Sequence, residues 1–248
     1  MINKKIRLKI IENFKTIFYA LIIAILIRSL IIQPFYIPSS SMEPNLLVGD
    51  RIFVSKISYG YSKHSFPFSP FFLSNNRLIR MEPIQGDMVV FKTPADNRTD
   101  YIKRLIGLPG DEIQFINGEI FINKKKIIRK EIKKDYIVRC GSYELENIIY
   151  EETLPNGIKY LAAYNKNGTL QNSDKYTVPK NHYFLMGDNR DCSKDSRFLS
   201  SVGYVHKDNL VGKARFIFFS SNAREGSIFE FWKFKELIRF SRFFKKII

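Results

Sequence analysis

Hydrophobic and polar positions divide the chain into unlike stretches. Residues 1–15 carry Lys4, Lys5, Arg7, Lys9 and Lys15 against one acid, Glu12. From Thr16 to Ile32 the pattern turns almost wholly apolar (TIFYALIIAILIRSLII), broken only by Arg28 and Ser29. Seventeen helical residues rise ~26 Å, a little short of a ~30 Å hydrocarbon core. Arg28, near the far end, can reach the headgroups. A cleavable secretory signal would have an apolar core of ~7–15 residues and then small residues. Here the run is longer and Ile31-Ile32-Gln33-Pro34-Phe35 follows, so a permanent anchor is expected. The excess of basic residues before it places the N-terminus in the cytoplasm and everything after Gln33 outside.

Beyond the anchor the pattern shortens to strands and turns. Arg51–Val54 and Asp87–Phe91 are compact apolar runs beside Gly49-Asp50 and Gly86-Asp87. In IQFINGEIFI (Ile113–Ile122), Asn117-Gly118 separates two strand-like runs, a strong hairpin signal because a type I′ turn needs positive φ at both central positions. Asn156-Gly157 and Asn167-Gly168 repeat it in weaker surroundings, and further strands are expected at Tyr183–Met186 and Ala214–Phe219. No long 3.6-residue period appears from 34 to 220, so this region is expected to be mainly β. Residues 57–80, aromatic and rich in Pro and Ser, read as a long loop. Residues 221–248 are basic and aromatic. As a helix they would put Lys235, Arg239, Arg242 and Lys246 on one ridge and Leu237, Phe240, Phe244 and Ile248 on another, as on an interfacial helix. A helix packed on the domain is the competing reading.

Composition narrows the classes. Forty basic residues against 24 acidic give +16 over 248 residues, and 45% hydrophobic with 15% aromatic content excludes a disordered chain. An exported body argues against a nucleic-acid role for that charge; attraction to anionic lipid fits better. Cys140 and Cys192 are too few for a disulfide scaffold or a four-cysteine zinc site, and their separation gives no reason to pair them. No HExxH, P-loop or GxGxxG motif occurs, and no metal or cofactor is expected. His64, His182 and His206 lie in no recognisable catalytic context.

Three clusters carry candidate chemistry. Pro38-Ser39-Ser40-Ser41-Met42-Glu43-Pro44 can present a hydroxyl, or be a plain linker. In Tyr101-Ile102-Lys103-Arg104-Leu105-Ile106 a lysine interrupts an apolar run: it either faces solvent by alternation or is buried, and burial would favour the neutral amine that can take a proton. Met186–Arg197 (MGDNRDCSKDSR) is dense in charge and could be a loop laced with ion pairs, Asp188 or Asp191 with Arg190 and Asp195 with Arg197.

Together with GDRIFVSK and GDMVVFKTP, the segments PSSSMEP, DYIKRLIGLPGD and MGDNRDCSKDSR resemble bacterial type I signal peptidase, from about residue 34 to 115 and again from 180 to 216. The resemblance implies a membrane-bound Ser/Lys endopeptidase that removes signal peptides after small residues of the Ala-X-Ala kind. It implies Ser41 as nucleophile, Lys103 as general base, Ser193 orienting the lysine, and the Ser39 hydroxyl with the Ser41 N–H as oxyanion hole. Arg104, Asp188, Asp195 and Arg197 would support the site through ion pairs, and Phe35, Ile37, Pro38, Met42, Leu46, Tyr101 and Ile102 would line the substrate pockets. Cys192 stands where Asn is usual and Asn45 where Thr is usual, which points to altered packing rather than lost activity; Cys192 could still be redox-sensitive.

The expected architecture is mainly β. A basic tail (1–15) and a transmembrane anchor (16–33) precede an antiparallel catalytic core (34–116 and 178–220) with a smaller inserted β domain (117–177), and a basic aromatic segment (221–248) follows. The expected setting is a bacterial inner membrane with the catalytic part on its outer face. The expected partners are signal peptides of secreted preproteins and membrane phospholipids, with the chain a monomer. A narrow-substrate relative, such as one that processes pilins, and an inactive lipid-binding scaffold are the alternatives. The Ser/Lys autoproteolytic repressors share the dyad but are soluble, which the anchor opposes.

Overall fold

The computed structural model of the chain describes residues 4–66, 77, 81–222 and 237–248. Helix α1 (Lys4–Leu30) opens the fold and is long and apolar enough to cross a membrane. The expected end of the anchor at Gln33 is corrected. The helix stops at Leu30, and Ile32 and Gln33 belong to strand β1 (Ile32–Tyr36), which pairs antiparallel with β2 (Asp50–Ser55). Pro34 accounts for the change, since the residue before a proline is pushed from helical toward extended backbone. As an edge strand, β1 also tolerates the missing N–H.

The chain then runs through β3 (Met88–Lys92), β4 (Asp100–Gly107), β5 (Glu112–Ile116), β6 (Glu119–Ile122) and β7 (Lys125–Lys126). A long ribbon follows, β8 (Ile128–Cys140) with β9 (Tyr143–Thr153), and then β10 (Lys159–Asn165) and β11 (Tyr176–Thr177). Strands β12 (His182–Met186), β13 (Val205–His206) and β14 (Leu210–Ser220) complete the body. A seven-stranded sheet has the order β1-β2-β14-β3-β4-β12-β13; β11-β5-β6-β7 and β10-β9-β8 form two smaller sheets. All the named pairings are antiparallel, and the mainly β reading holds. Boundaries at 117 and 177 would cut the four-stranded sheet, because β5 pairs with both β6 and β11.

The four strands expected at 51–54, 87–91, 183–186 and 214–219 all form. In β2, strict alternation sends Ile52 and Val54 into the core. Asn117 and Gly118 take φ of 50° and 75°, the left-handed pair that the β5–β6 hairpin needs. Asn156-Gly157 turns β9 into β10, whereas Asn167-Gly168 makes no hairpin. Register shifts along β14 bend it, so that one strand pairs with β2 at one end and β3 at the other. The largest core joins Ile106, Phe184 and Met186 of the main sheet to Phe115, Ile120, Tyr160 and Ala162 of the smaller ones.

Two expectations fail in the described residues. Residues 238–248 do not continue a helix. Lys246 bridges to Phe216, Ile247 is buried in the core beneath β2, and Arg239 and Arg242 bond to Val48 and Asp50. The long-range backbone pairing with β14 overrides the amphipathic pattern; residues 223–236 lie outside the described residues, as does most of 67–80 of the expected loop. Cys140 and Cys192 are joined in a disulfide. Sequence distance was no guide, because the β8–β9 ribbon carries its tip back to the loop after β12.

Candidate active site

Ser41 sits in the turn-rich link between β1 and β2. Asn189 fastens that link, its N donating to Ser41 O at 3.1 Å and its Nδ2 to Ser40 O at 3.3 Å, and within the link Glu43 N donates to Ser40 O at 3.0 Å. Gly187 permits the approach. A Cβ there would lie 2.5 Å from Ser41 O and 2.2 Å from Ser193 Oγ, so any side chain would push the two loops apart.

Lys103 lies in the interior of β4, opposite Val89 of β3. It is 4% exposed, and its Nζ donates to Ser41 Oγ at 2.7 Å. The alternative that the lysine faces solvent by alternation is thereby excluded. Burial pulls its pKa down from 10.5 to about 8, opposed by the Asp195 and Asp188 carboxylates and aided by Arg197. The Tyr101 ring centroid lies 5.4 Å from Nζ. Ser39 Oγ is 3.3 Å from Ser41 Oγ, while the Ser41 N–H donates to nothing among the described residues. Ser193 is buried beside this pair but makes no hydrogen bond to Lys103. Its hydroxyl instead lies near the Asp195 carboxylate, short of well-formed hydrogen-bond geometry.

Of the supporting ion pairs, Arg104–Asp188 is fully buried and Arg197–Asp195 nearly so. Arg104 grips Asp188 with Nε at 2.7 Å and Nη2 at 2.8 Å, and Asp188 also accepts from Asn45 Nδ2 at 2.7 Å. The departure at position 45 is therefore built into the same network. Arg197 grips Asp195 at 2.8 and 2.9 Å, and Asp195 accepts from Gly187 N at 2.9 Å. Arg190 does not pair with Asp188 or Asp191 as the local charge pattern suggested. It takes Glu152 of β9 at 2.8 and 2.7 Å, and Tyr160 and Tyr164 donate to the same carboxylate. Asp191 accepts instead from Asn165 N. Burial tends to raise the Glu152 pKa, but Arg190 and the two phenols hold it below the ordinary value. Sequence reading gave no role to Glu152, Asn189 or Gly187; Glu152 and Asn189 meet partners too distant in sequence for a local pattern to show, and the role of Gly187 lies in its approach to the Ser41 carbonyl.

The dyad opens into a groove of about 420 Å³. Phe35, Ile37, Pro38, Tyr101 and Ile102 all line it. Met42 and Leu46 do not line it; both are buried in the core beneath. Ser40 links the turn to the disulfide, donating to Arg139 O at 2.8 Å with its Oγ 3.4 Å from Cys192 Sγ. The three histidines stand apart from the dyad: His64 is buried in a separate cavity, and His182 and His206 stack edge to face with ring centroids 5.0 Å apart. No group of three or more His, Cys, Asp or Glu suited to a metal occurs among the described residues.

The chain is similar to known signal peptidases. The family model described as signal peptidase, peptidase S26, matches residues 10–219. A signal peptidase I of Rickettsia typhi is 40% identical over 99% of this chain and 97% of its own length. One of Rickettsia conorii is 44% identical over 82% of this chain and 77% of its own, and one of Rickettsia prowazekii 40% identical over 95% and 93%. A solved signal peptidase I of Enterococcus faecalis covers 54% of this chain and 97% of its own at 25% identity, with a TM-score of 0.34, a likeness too slight to bear on the fold. The chain belongs to the signal peptidase family, peptidase S26, and is a serine endopeptidase of that family.

Proposed function

We propose that this chain is a membrane-anchored signal peptidase that cuts exported preproteins with Ser41 as nucleophile and Lys103 as general base. The observation that carries the reading is the 2.7 Å contact between a buried, depressed-pKa amine and a hydroxyl at the floor of an apolar groove. Neutral Lys103 takes the Ser41 proton as Oγ attacks the scissile carbonyl carbon. The developing oxyanion accepts from the free Ser41 N–H and from Ser39 Oγ. Lys103 then passes its proton to the leaving amine. Water next attacks the acyl-enzyme, giving one proton to Lys103, and Ser41 recovers its proton as the acid product leaves. The resemblance implies Ser193 as the lysine-orienting serine; it is buried beside Gly187, and its hydroxyl would have to turn from the Asp195 side to reach Lys103.

The shallow apolar walls suit an extended peptide with small side chains before the cut, bound by main-chain hydrogen bonds. Height above the bilayer supports the same reading. Ser41 follows Leu30, the last residue of α1, by eleven residues, at most ~40 Å of extended chain, and part of that folds back as β1. The basic N-terminus sets it in the cytoplasm, with the catalytic part across a bacterial inner membrane. Cleavage of an Ala-X-Ala preprotein by the full chain in neutral detergent, beside Ser41→Ala and Lys103→Ala, tests the reading. Both variants are expected to leave the preprotein intact, and cleavage by either would end it.

A further inference from the structure

Where α1 gives way to β1 lies a second, open cavity of about 850 Å³, larger than the peptide groove and not lined by the dyad. Its walls bring together Arg28 and Ser29 of the helix end, Lys56 and Lys63 of the segment after β2, and Lys92 and Arg98 around the β3–β4 turn. Two carboxylates face them, and both are engaged. Asp96 accepts from Thr93 and from the Arg98 and Thr99 backbone, and Asp100 pairs with Lys92 at 2.9 Å. Lys56 is 2% exposed and donates to Ser65 O. Arg28, Lys63 and Arg98 have no ion-pair partner among the described residues. Ser29 Oγ is buried at 4% exposure with no hydrogen-bond partner, although it lines the cavity.

Cations and an unbonded buried hydroxyl around one cavity suit an anionic ligand. The helix shows what kind. Ile25 lies one turn before Arg28 and lines the same cavity, half exposed, within the apolar span of α1. A ligand that satisfies both ends carries a negative charge and an apolar tail. We propose that this cavity binds the phosphate headgroup of one anionic phospholipid, with Arg28, Lys63 and Arg98 on the phosphate, Ser29 donating to it, and Ile25 against the acyl chain. Free phosphate would meet the cations but leave the apolar wall unused. Phe35 and Asp100 line both this cavity and the peptide groove, so the seated lipid would form part of the floor on which a preprotein approaches. The proposal rests on the membrane-anchored reading above and not on the Ser/Lys chemistry.

The test is native mass spectrometry of the full chain in dodecyl maltoside with added palmitoyl-oleoyl phosphatidylglycerol. The wild type is expected to retain one phosphatidylglycerol and little of the matched phosphatidylcholine. Lys63→Gln/Arg98→Gln should weaken retention roughly 30-fold, as expected for two cations lost beside a headgroup. Arg28→Gln, on the helix, gives an independent arm with a smaller loss. Lys124→Gln/Lys125→Gln removes the same charge from the remote β6–β7 turn and should change nothing. Equal retention by the Lys63/Arg98 variant, or equal loss in the Lys124/Lys125 variant, overturns the site. Displacement of the lipid by inorganic phosphate at equal concentration overturns the lipid assignment. Preprotein cleavage by the same samples reports separately: if lipid retention behaves as stated while the wild type cuts nothing, the peptidase reading has failed and the lipid site has not.

Discussion

Lys103 and Lys56 are alike in nearly everything that burial controls. Both are almost completely buried, both have pKa values pulled from 10.5 to about 8, and for both desolvation is the leading cause. They differ in the atom each touches. Lys56 donates to the Ser65 carbonyl, which has no proton to return, and the positive charge of Arg28 adds to the depression. Lys103 donates to the Ser41 hydroxyl, which has one, and two carboxylates oppose further depression. A lowered pKa therefore marks a buried amine, and only the partner marks a base. A search for perturbed lysines alone would have returned both.

The comparison breaks most decisively on activity. Lys103→Arg keeps a charge in the cavity but cannot lose its proton. Preprotein cleavage should fall by ~10⁴-fold or more, the scale for removing a catalytic base. Lys56→Arg, at a position equally buried, should lose less than tenfold. Similar losses in the two variants would mean that burial, not the hydroxyl, makes Lys103 special. The hydroxyl side sharpens the point next. Ser39→Ala removes one donor beside Ser41 Oγ and should lower kcat by ~10²–10³-fold with KM little changed.

How far these residues could be read from the chain depends on the range of the interactions that place them. The Ser41–Lys103 contact was legible only through the family resemblance, which contiguous motifs carry, and the Asn117-Gly118 hairpin because a left-handed turn is a local demand. Arg197–Asp195 lies within three residues, and the pair forms. Arg190–Glu152 was not legible: the nearer Asp188 and Asp191 looked like better partners, and only the fold shows Asp188 taken by Arg104 and Asn45. The Cys140–Cys192 disulfide was missed for the same reason. Strand β8, which delivers Cys140, is mostly exposed on both faces and so lacks the alternation that announces a strand. The tail shows the opposite failure: a good amphipathic pattern at 237–248 gave way to backbone pairing along β14.

Stability should not separate the two lysines. Each has a folded pKa below its unfolded one, so the unfolded chain holds more protons between pH 8 and 10.5, and stability rises with pH across that window. Below pH 8 each charged, desolvated amine costs about 3 kcal/mol, from a fall of about 2.5 pKa units. Lys103→Met and Lys56→Met should each remove that cost and flatten the rise, as read by urea unfolding at pH 7 and pH 10.5. A gain confined to Lys56→Met would mean that the Ser41 contact and the carboxylates already offset the burial of Lys103.

The pH profile of cleavage is the finest discriminator, because both amines titrate near the same value. A base with a pKa of about 8 is neutral in ~1% of molecules at pH 6 and half of them at pH 8, so kcat/KM should rise ~50-fold across that interval and level off above it. His64 cannot supply this limb, since burial and nearby cations hold it near 4, and His206 is lowered as well. Among the described buried amines the rival is Lys56. If Lys103 is the base, Lys56→Met keeps the same rise with the same midpoint, because a proton lost from Lys56 changes no group that Ser41 touches. If the rise vanishes or its midpoint moves by a full unit in Lys56→Met, the ionisation seen in the rate belongs to the wrong lysine, and proximity to a hydroxyl has been mistaken for proton transfer.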